Sequence, residues 1–185
     1  ILGDNIFYGD NLTSLLQFAQ KKSTGATIFT YGVGDPENYG VIEILDKAVV
    51  SVEEKPSLPK SNLAVTGLYF FDNEVIKFAK DNKKSQRGEY EITGILNQYI
   101  KIKQLNFTTL GRGHAWLDMG THENLLKASQ FVETIEQRQG LKIACLEEIA
   151  LINRWINTDM IKKQIKDLHE NDYVKYLKKI IYKNS

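Results

Sequence analysis

Leu63–Phe71 (LAVTGLYFF) is almost wholly apolar over nine residues. So short a run without polar alternation reads as a strand covered on both faces. It commits the chain to a sheet with further layers on either side. The preceding segments fit that scheme. Leu12, Leu15, Leu16 and Ala19 recur at helical spacing, with Lys21-Lys22 in the last turn and Gly25 as the stop. Ala26–Tyr31 (ATIFTY) is β-branched and aromatic and predicts a strand. Ile1-Leu2 is read as a strand stub, so the helix between the two predicts a βαβ crossover and a parallel sheet. Tyr39–Ile44 and Val49–Glu53 flank Asp46-Lys47 as a β-hairpin. Helices are expected over Asn73–Lys80 and Tyr90–Ile102, and a strand over Leu105–Leu110. A Gly111-Arg112-Gly113 loop then leads into His114–Leu117.

Beyond Thr121 the pattern changes. Residues 123–136, 146–155, 158–166 and 173–181 all carry helical period, and no strand pattern competes. The chain therefore divides into an α/β part, 1–120, and a helical part, 121–185. In the basic, amphipathic tail, Val174, Leu177 and Ile181 form the inward face. Ile1-Leu2 opens the chain like the end of a buried strand, because termini are ordinarily polar and frayed. The chain is accordingly read as a fragment or a processed form.

Composition narrows the function classes. Hydrophobic residues are 42% of the 185, enough for a core. Lys+Arg 24 against Asp+Glu 23 leaves a net charge of +1, which excludes a general electrostatic grip on nucleic acid. No apolar run reaches the ~18–20 residues of a membrane span. The lone Cys145 makes no intrachain disulfide and reads as a small buried hydrophobe, which favours a reducing cytoplasm. His114, His122 and His169 show no metal-ligand spacing.

Two acids stand in similar contexts. Asp4, in Leu-Gly-Asp-Asn, is placed at the carboxyl end of the first strand, where open α/β sheets bind ligands. It reads equally as a ligand for a hard cation or as the cap of the following helix. Asp118, in Ala-Trp-Leu-Asp-Met-Gly-Thr, lies between a strand and a helix. A second acid so placed strengthens the metal reading of both, because Mg²⁺ on phosphates commonly takes one or two carboxylates. Trp116 reads on its own as a core aromatic. Glu53-Glu54-Lys55-Pro56 is either plain surface or a site where Lys55 meets a phosphate and Glu54 accepts from sugar hydroxyls. Gly40 and Gly67 each sit beside β-formers, as a bulge or as a close approach to a flat ligand. Arg87 reads as a surface residue or a phosphate partner. No nucleophile with an activating base is evident.

These segments occur in a familiar order: LGDNIFYG (2–9), YGV (39–41), EEKP (53–56), VTGLYF (65–70), RGEYEIT (87–93), GRGHAWLDMGTH (111–122) and IEQRQGLK (135–142). The set closely resembles the glucose-1-phosphate thymidylyltransferases, or dTDP-glucose pyrophosphorylases, among the sugar nucleotidyltransferases. The resemblance implies a Rossmann-like α/β fold with a mixed, mostly parallel sheet flanked by helices, followed by a helical region. It implies condensation of dTTP with α-D-glucose 1-phosphate to dTDP-glucose and pyrophosphate, for dTDP-rhamnose and surface polysaccharides of bacteria. Asp4 and Asp118 would hold Mg²⁺, and Lys55 would bind the sugar phosphate as a third catalytic group. Asn5, Gly40, Glu54, Lys55, Val65, Tyr69, Arg87 and Trp116 would form the sugar site, and the whole protein would be a tetramer. The family's glycine-rich nucleotide loop has no counterpart among these residues, so the chain is expected to be inactive alone while keeping sugar-phosphate binding and oligomerisation. UTP or CTP in place of dTTP is the other alternative. Gly94 departs from the family, which usually carries Asp there.

Overall fold

A computed structural model describes residues 1–183. The chain divides into two compact units, one spanning Ile1–Thr121 and the other beginning at His122.

The first unit holds seven strands: β1 (Asn5–Gly9), β2 (Ala26–Gly32), β3 (Gly40–Leu45), β4 (Ala48–Glu54), β5 (Leu63–Phe71), β6 (Leu105–Leu110) and β7 (His114–Asp118). Its helices are α1 (Leu12–Gln20), α2 (Glu74–Asp81) and α3 (Ile92–Lys101). Five strands form one sheet in the order β4-β3-β5-β2-β6, with β5 central, while β1 and β7 form a separate two-stranded ladder.

The hairpin occurs where expected, and Asp46 and Lys47 both take positive φ to turn it. The central strand β5 is covered on both faces. Leu68 and Phe70 pack with Phe29 and α1, and Val65, Tyr69 and Phe71 pack with Ile28, Ile42 and Leu96 on the other side. Side-chain alternation along β2 produces that division, because Ile28 and Phe29 point to opposite faces. The α/β class with a mixed sheet and flanking helices is therefore present.

Three expectations about its layout need correction. The sheet is not mostly parallel: among the described residues only β2–β6 is a parallel pair, and β2–β5, β3–β4, β3–β5 and β1–β7 are antiparallel. Ile1-Leu2 is not a strand, although Leu2 N–H donates to Gly67 C=O at 2.8 Å. The first strand is instead Asn5–Gly9, so Asp4 precedes a strand rather than ending one. It does not cap α1, whose N-cap is Asn11. No βαβ crossover forms through α1, because β1 takes its ladder partner from β7 rather than β2. Local periodicity reports where an extended segment lies but not which distant segment satisfies its backbone groups.

Asp72, just past β5, ties the sheet to α3. Its Oδ1 accepts from Tyr99 Oη at 2.7 Å and its Oδ2 from Gly25 N at 2.6 Å. Partial burial opposes its ionisation, but the bonds from Tyr99, Gly25 and Glu74 outweigh that and hold the carboxyl below the usual range. A depressed folded value adds stability above the unfolded value of about 4 and loses it as pH falls through the folded value. Tyr99→Phe should thus destabilise the protein by about 1 kcal/mol at pH 7, the lower end for a bond to a solvent-screened charge. The deficit should shrink toward pH 3, as read by paired thermal melts.

Gly94 lies inside α3, and a Cβ built on it would collide with Asn82 Oδ1. Asn82 is held there by its Nδ2 donating to Glu91 C=O at 2.9 Å. The space that a side chain at 94 would need is occupied by Asn82.

The second unit comprises α4 (His122–Gln139), α5 (Leu146–Ile152), α6 (Thr158–Ile165) and α7 (Asp172–Lys183). Its core gathers Cys145, Ile161, Ile165, Val174, Leu177 and Ile181. The inward face expected for the tail is thus buried, and Cys145 is buried with it, its Sγ 3.5 Å from Tyr173 Oη. Asn157 Oδ1 accepts from Met160 N at 3.0 Å and caps α6. No helix among the described residues is long and apolar enough to cross a membrane.

Candidate active site

The β1–β7 ladder brings the two ends of the first unit together. Asn5 opposes Asp118 and Phe7 opposes Trp116. Residues directly opposite in such a ladder have Cβ atoms about 4.5–5.5 Å apart. One step outside the ladder, Met119 N–H donates to Asp4 C=O at 2.7 Å. The start of β1 and the end of β7 therefore coincide, and Asp4 and Asp118 share one cleft of about 220 Å³.

Asn5 organises the cleft floor. Its Oδ1 accepts from Trp116 Nε1 at 2.6 Å and from Gly67 N at 3.1 Å, while its Nδ2 donates to Asp4 Oδ1 at 2.9 Å. Gly67 is a glycine for a steric reason. A Cβ there would lie 2.6 Å from Asn5 Oδ1 and 2.8 Å from Leu2 Cβ. The Trp116 ring lies 5.2 Å from that of Tyr39 and 6.1 Å from that of Tyr31. Tyr39 Oη donates to Asp118 Oδ1 at 3.2 Å, and burial together with that carboxylate pushes its phenol up to about 12.

Glu54 also lines the cleft. Burial and the nearby Glu91 raise its carboxyl above the ordinary value, while Lys55 and Arg87 act against them. Burial and Glu54 push the Tyr69 phenol up to about 12. The cleft thus presents carboxylates, amides and phenols beside aromatic faces, which suits a polyhydroxylated ring with a charged group at one end.

Among the residues singled out from the sequence, Asp4, Asn5, Gly40, Glu54, Val65, Tyr69, Trp116 and Asp118 line this cleft. Lys55 and Arg87 do not line it. Lys55 follows Glu54 with φ of 44° and its N–H bonded to Tyr39 C=O at 2.9 Å. Arg87 approaches Glu54 at 3.8 Å and Glu91 at 3.5 Å. The lining also includes Leu2, Asn38, Tyr39, Gly67, Ile92 and Thr93. Of these only Gly67 was weighed for a ligand role in the sequence. Tyr39 lay in the YGV segment at the head of the hairpin and Ile92 and Thr93 lay in RGEYEIT, whereas nothing local marked Asn38.

Among the described residues no group of three or more His, Cys, Asp or Glu side chains is placed to hold a metal. Two carboxylates at one cleft do suit Mg²⁺, which takes one or two carboxylates and fills its remaining positions from substrate phosphates and water.

Comparison with known proteins follows the same lines. The glucose-1-phosphate thymidylyltransferase of Neisseria meningitidis is 47% identical over 184 residues, covering 99% of this chain and 64% of that protein. The enzyme of the same name from Xanthomonas campestris is 48% identical over 178 residues, covering 96% of this chain and 60% of that protein. The chain thus spans just under two thirds of the length of these relatives. A crystal structure of UDP-glucose pyrophosphorylase complexed with UDP-glucose superposes with a TM-score of 0.59 at 25% identity, over 72% of this chain and 55% of that one. The nucleotidyl transferase family profile matches residues 1–135. On that match, the chain belongs to the nucleotidyl transferase family.

Proposed function

We propose that the protein carrying this chain condenses dTTP with α-D-glucose 1-phosphate, giving dTDP-glucose and pyrophosphate, and that this chain supplies the sugar-phosphate cleft and the two metal-binding carboxylates. The observation that carries the reading is the meeting of Asp4 and Asp118 at one cleft walled by Glu54, Tyr69 and Trp116. The names of the two relatives support the choice of substrates.

In this reading a phosphate oxygen of the sugar attacks the α-phosphorus of the nucleotide in line, and the bond to pyrophosphate breaks. Asp4 and Asp118 would hold Mg²⁺, which would supply charge neutralisation at the phosphates. Asn5, Gly40, Glu54, Val65, Tyr69 and Trp116 hold the hexose, with Glu54 accepting from its hydroxyls. Lys55, next in sequence to Glu54, meets the sugar phosphate as a point charge, and Arg87 steadies Glu54 from outside the cleft. Rate enhancement then comes from positioning and charge compensation, and no covalent enzyme intermediate is required.

The test is pyrophosphate release by the full-length protein with glucose 1-phosphate and dTTP, UTP or CTP in parallel. Turnover with dTTP well above the other two is expected. No release with any nucleotide would overturn the proposal. UTP is the second reading, raised by the likeness to the UDP-glucose pyrophosphorylase, and its 25% identity against 47% ranks it behind dTTP.

Assembly of the full-length protein into a homo-oligomer, a tetramer by resemblance, belongs to the same proposal. The helical unit leaves Leu146, Ile152 and Trp155 more than 70% exposed, which favours a protein partner over solvent. A cytoplasmic location accords with the buried thiol of Cys145.

A further inference from the structure

We infer that Asn5 and Tyr39 are positioning residues that hold the Asp4 and Asp118 carboxylates as one preset pair, linked through the Trp116 ring. The inference rests on the proposed metal role of the two acids and adds how the chain sets them.

The contacts form a continuous path. Asn5 Nδ2 donates to Asp4 Oδ1, and Trp116 Nε1 donates to Asn5 Oδ1. The Trp116 ring packs at 5.2 Å on that of Tyr39, whose hydroxyl donates to Asp118 Oδ1. Each acid therefore receives a hydrogen bond from one arm of the same network.

The orientation of the Asn5 amide follows from chemistry. Gly67 N–H and Trp116 Nε1–H are donors only, so the group facing both must be the amide oxygen. The amide nitrogen is thereby turned to Asp4. Both lone pairs of that oxygen are taken by protein donors, so Asn5 has only an N–H left to offer a sugar hydroxyl. Tyr39 is similarly constrained: its C=O accepts from Lys55 N and its ring leans on Trp116, which leaves the phenol little freedom to turn from Asp118.

Two carboxylates brought to one cleft repel each other, and free rotamers would splay them apart before a cation arrives. A donor on each acid offsets part of that repulsion and fixes its direction. Groups that orient metal ligands in this way typically govern metal affinity by about 10–100-fold.

The experiment uses the full-length protein and Mn²⁺ as the probe, with binding followed by the electron paramagnetic resonance signal of the free ion. Tyr39→Phe keeps the ring and removes only the hydroxyl. It should weaken Mn²⁺ binding by about 10-fold or more. It should raise the Mg²⁺ concentration needed for half-maximal turnover by a similar factor, while kcat at saturating Mg²⁺ and the melting temperature stay close to the parent's. Asn5→Ser should act in the same direction, and the double variant should lose less than the product of the two single effects, as coupled residues do. Unchanged Mn²⁺ affinity in Tyr39→Phe, with binding abolished in Asp118→Asn, overturns the positioning role alone. Unchanged affinity in Asp118→Asn overturns the metal assignment as well.

Discussion

Replacing Asp118 by asparagine in the full-length protein will lower kcat for pyrophosphate release by about 10²–10³-fold, the loss seen when one preorganised group facing transition-state charge is removed. The substitution is nearly isosteric. The amide oxygen of an asparagine at 118 still accepts from Tyr39 Oη, and the Asn5–Asp118 backbone register does not depend on the side chain. Folding should therefore be spared, and what disappears is one of two negative charges at the cleft. Phosphate groups bring their own negative charge, so a cation must be held at the moment the phosphates crowd together. Steady-state assays over a Mg²⁺ series, beside a thermal melt, make the check. A variant that keeps the parent's kcat and Mg²⁺ dependence would show that Asp118 is not a metal ligand.

Phe29→Ala will cost about 3–5 kcal/mol of stability, a large share of the ~5–15 kcal/mol that holds a typical domain together. Phe29 is fully buried near the middle of β2. It packs with Phe70 at a ring separation of 6.2 Å and with Leu68, Leu110 and Ala19, beneath Leu15 and Leu16 of α1. Its carbonyl also accepts from Thr66 Oγ1 at 3.0 Å. The cavity would open where α1 rests on the sheet, between strands whose pairing leaves little room to collapse. Phe18 is the control. It lies on the same helix but is 62% exposed, and Phe18→Ala should change stability by no more than about 0.5 kcal/mol. Urea denaturation of both variants separates the two sites. Equal losses would mean that α1 is not seated as described.

The element pattern was largely legible because it is local. The hairpin about Asp46-Lys47, the doubly covered Leu63–Phe71, and the helices of the second unit each follow from periodicity and turn chemistry within a dozen residues. Asn5–Gly9 was missed as a strand because five residues ending in glycine hold too short an alternation to outweigh the turn signals beside them. Asp4 and Asp118 were legible as suspicious acids, and the ordered motifs pointed to a sugar nucleotidyltransferase, in line with the nucleotidyl transferase family match.

Residue identities alone marked most of the extended and helical segments and singled out Asp4 and Asp118 for attention, since both readings depend on neighbours along the chain. Tertiary structure alone decided that β1 pairs with β7, that strand directions are mainly antiparallel, and that Asn5, Trp116 and Tyr39 connect the two acids. Those outcomes depend on backbone and side-chain hydrogen bonds closed across more than a hundred residues for the Asn5–Trp116 contact. No periodicity within a strand or helix records the partner at the far end of such a bond.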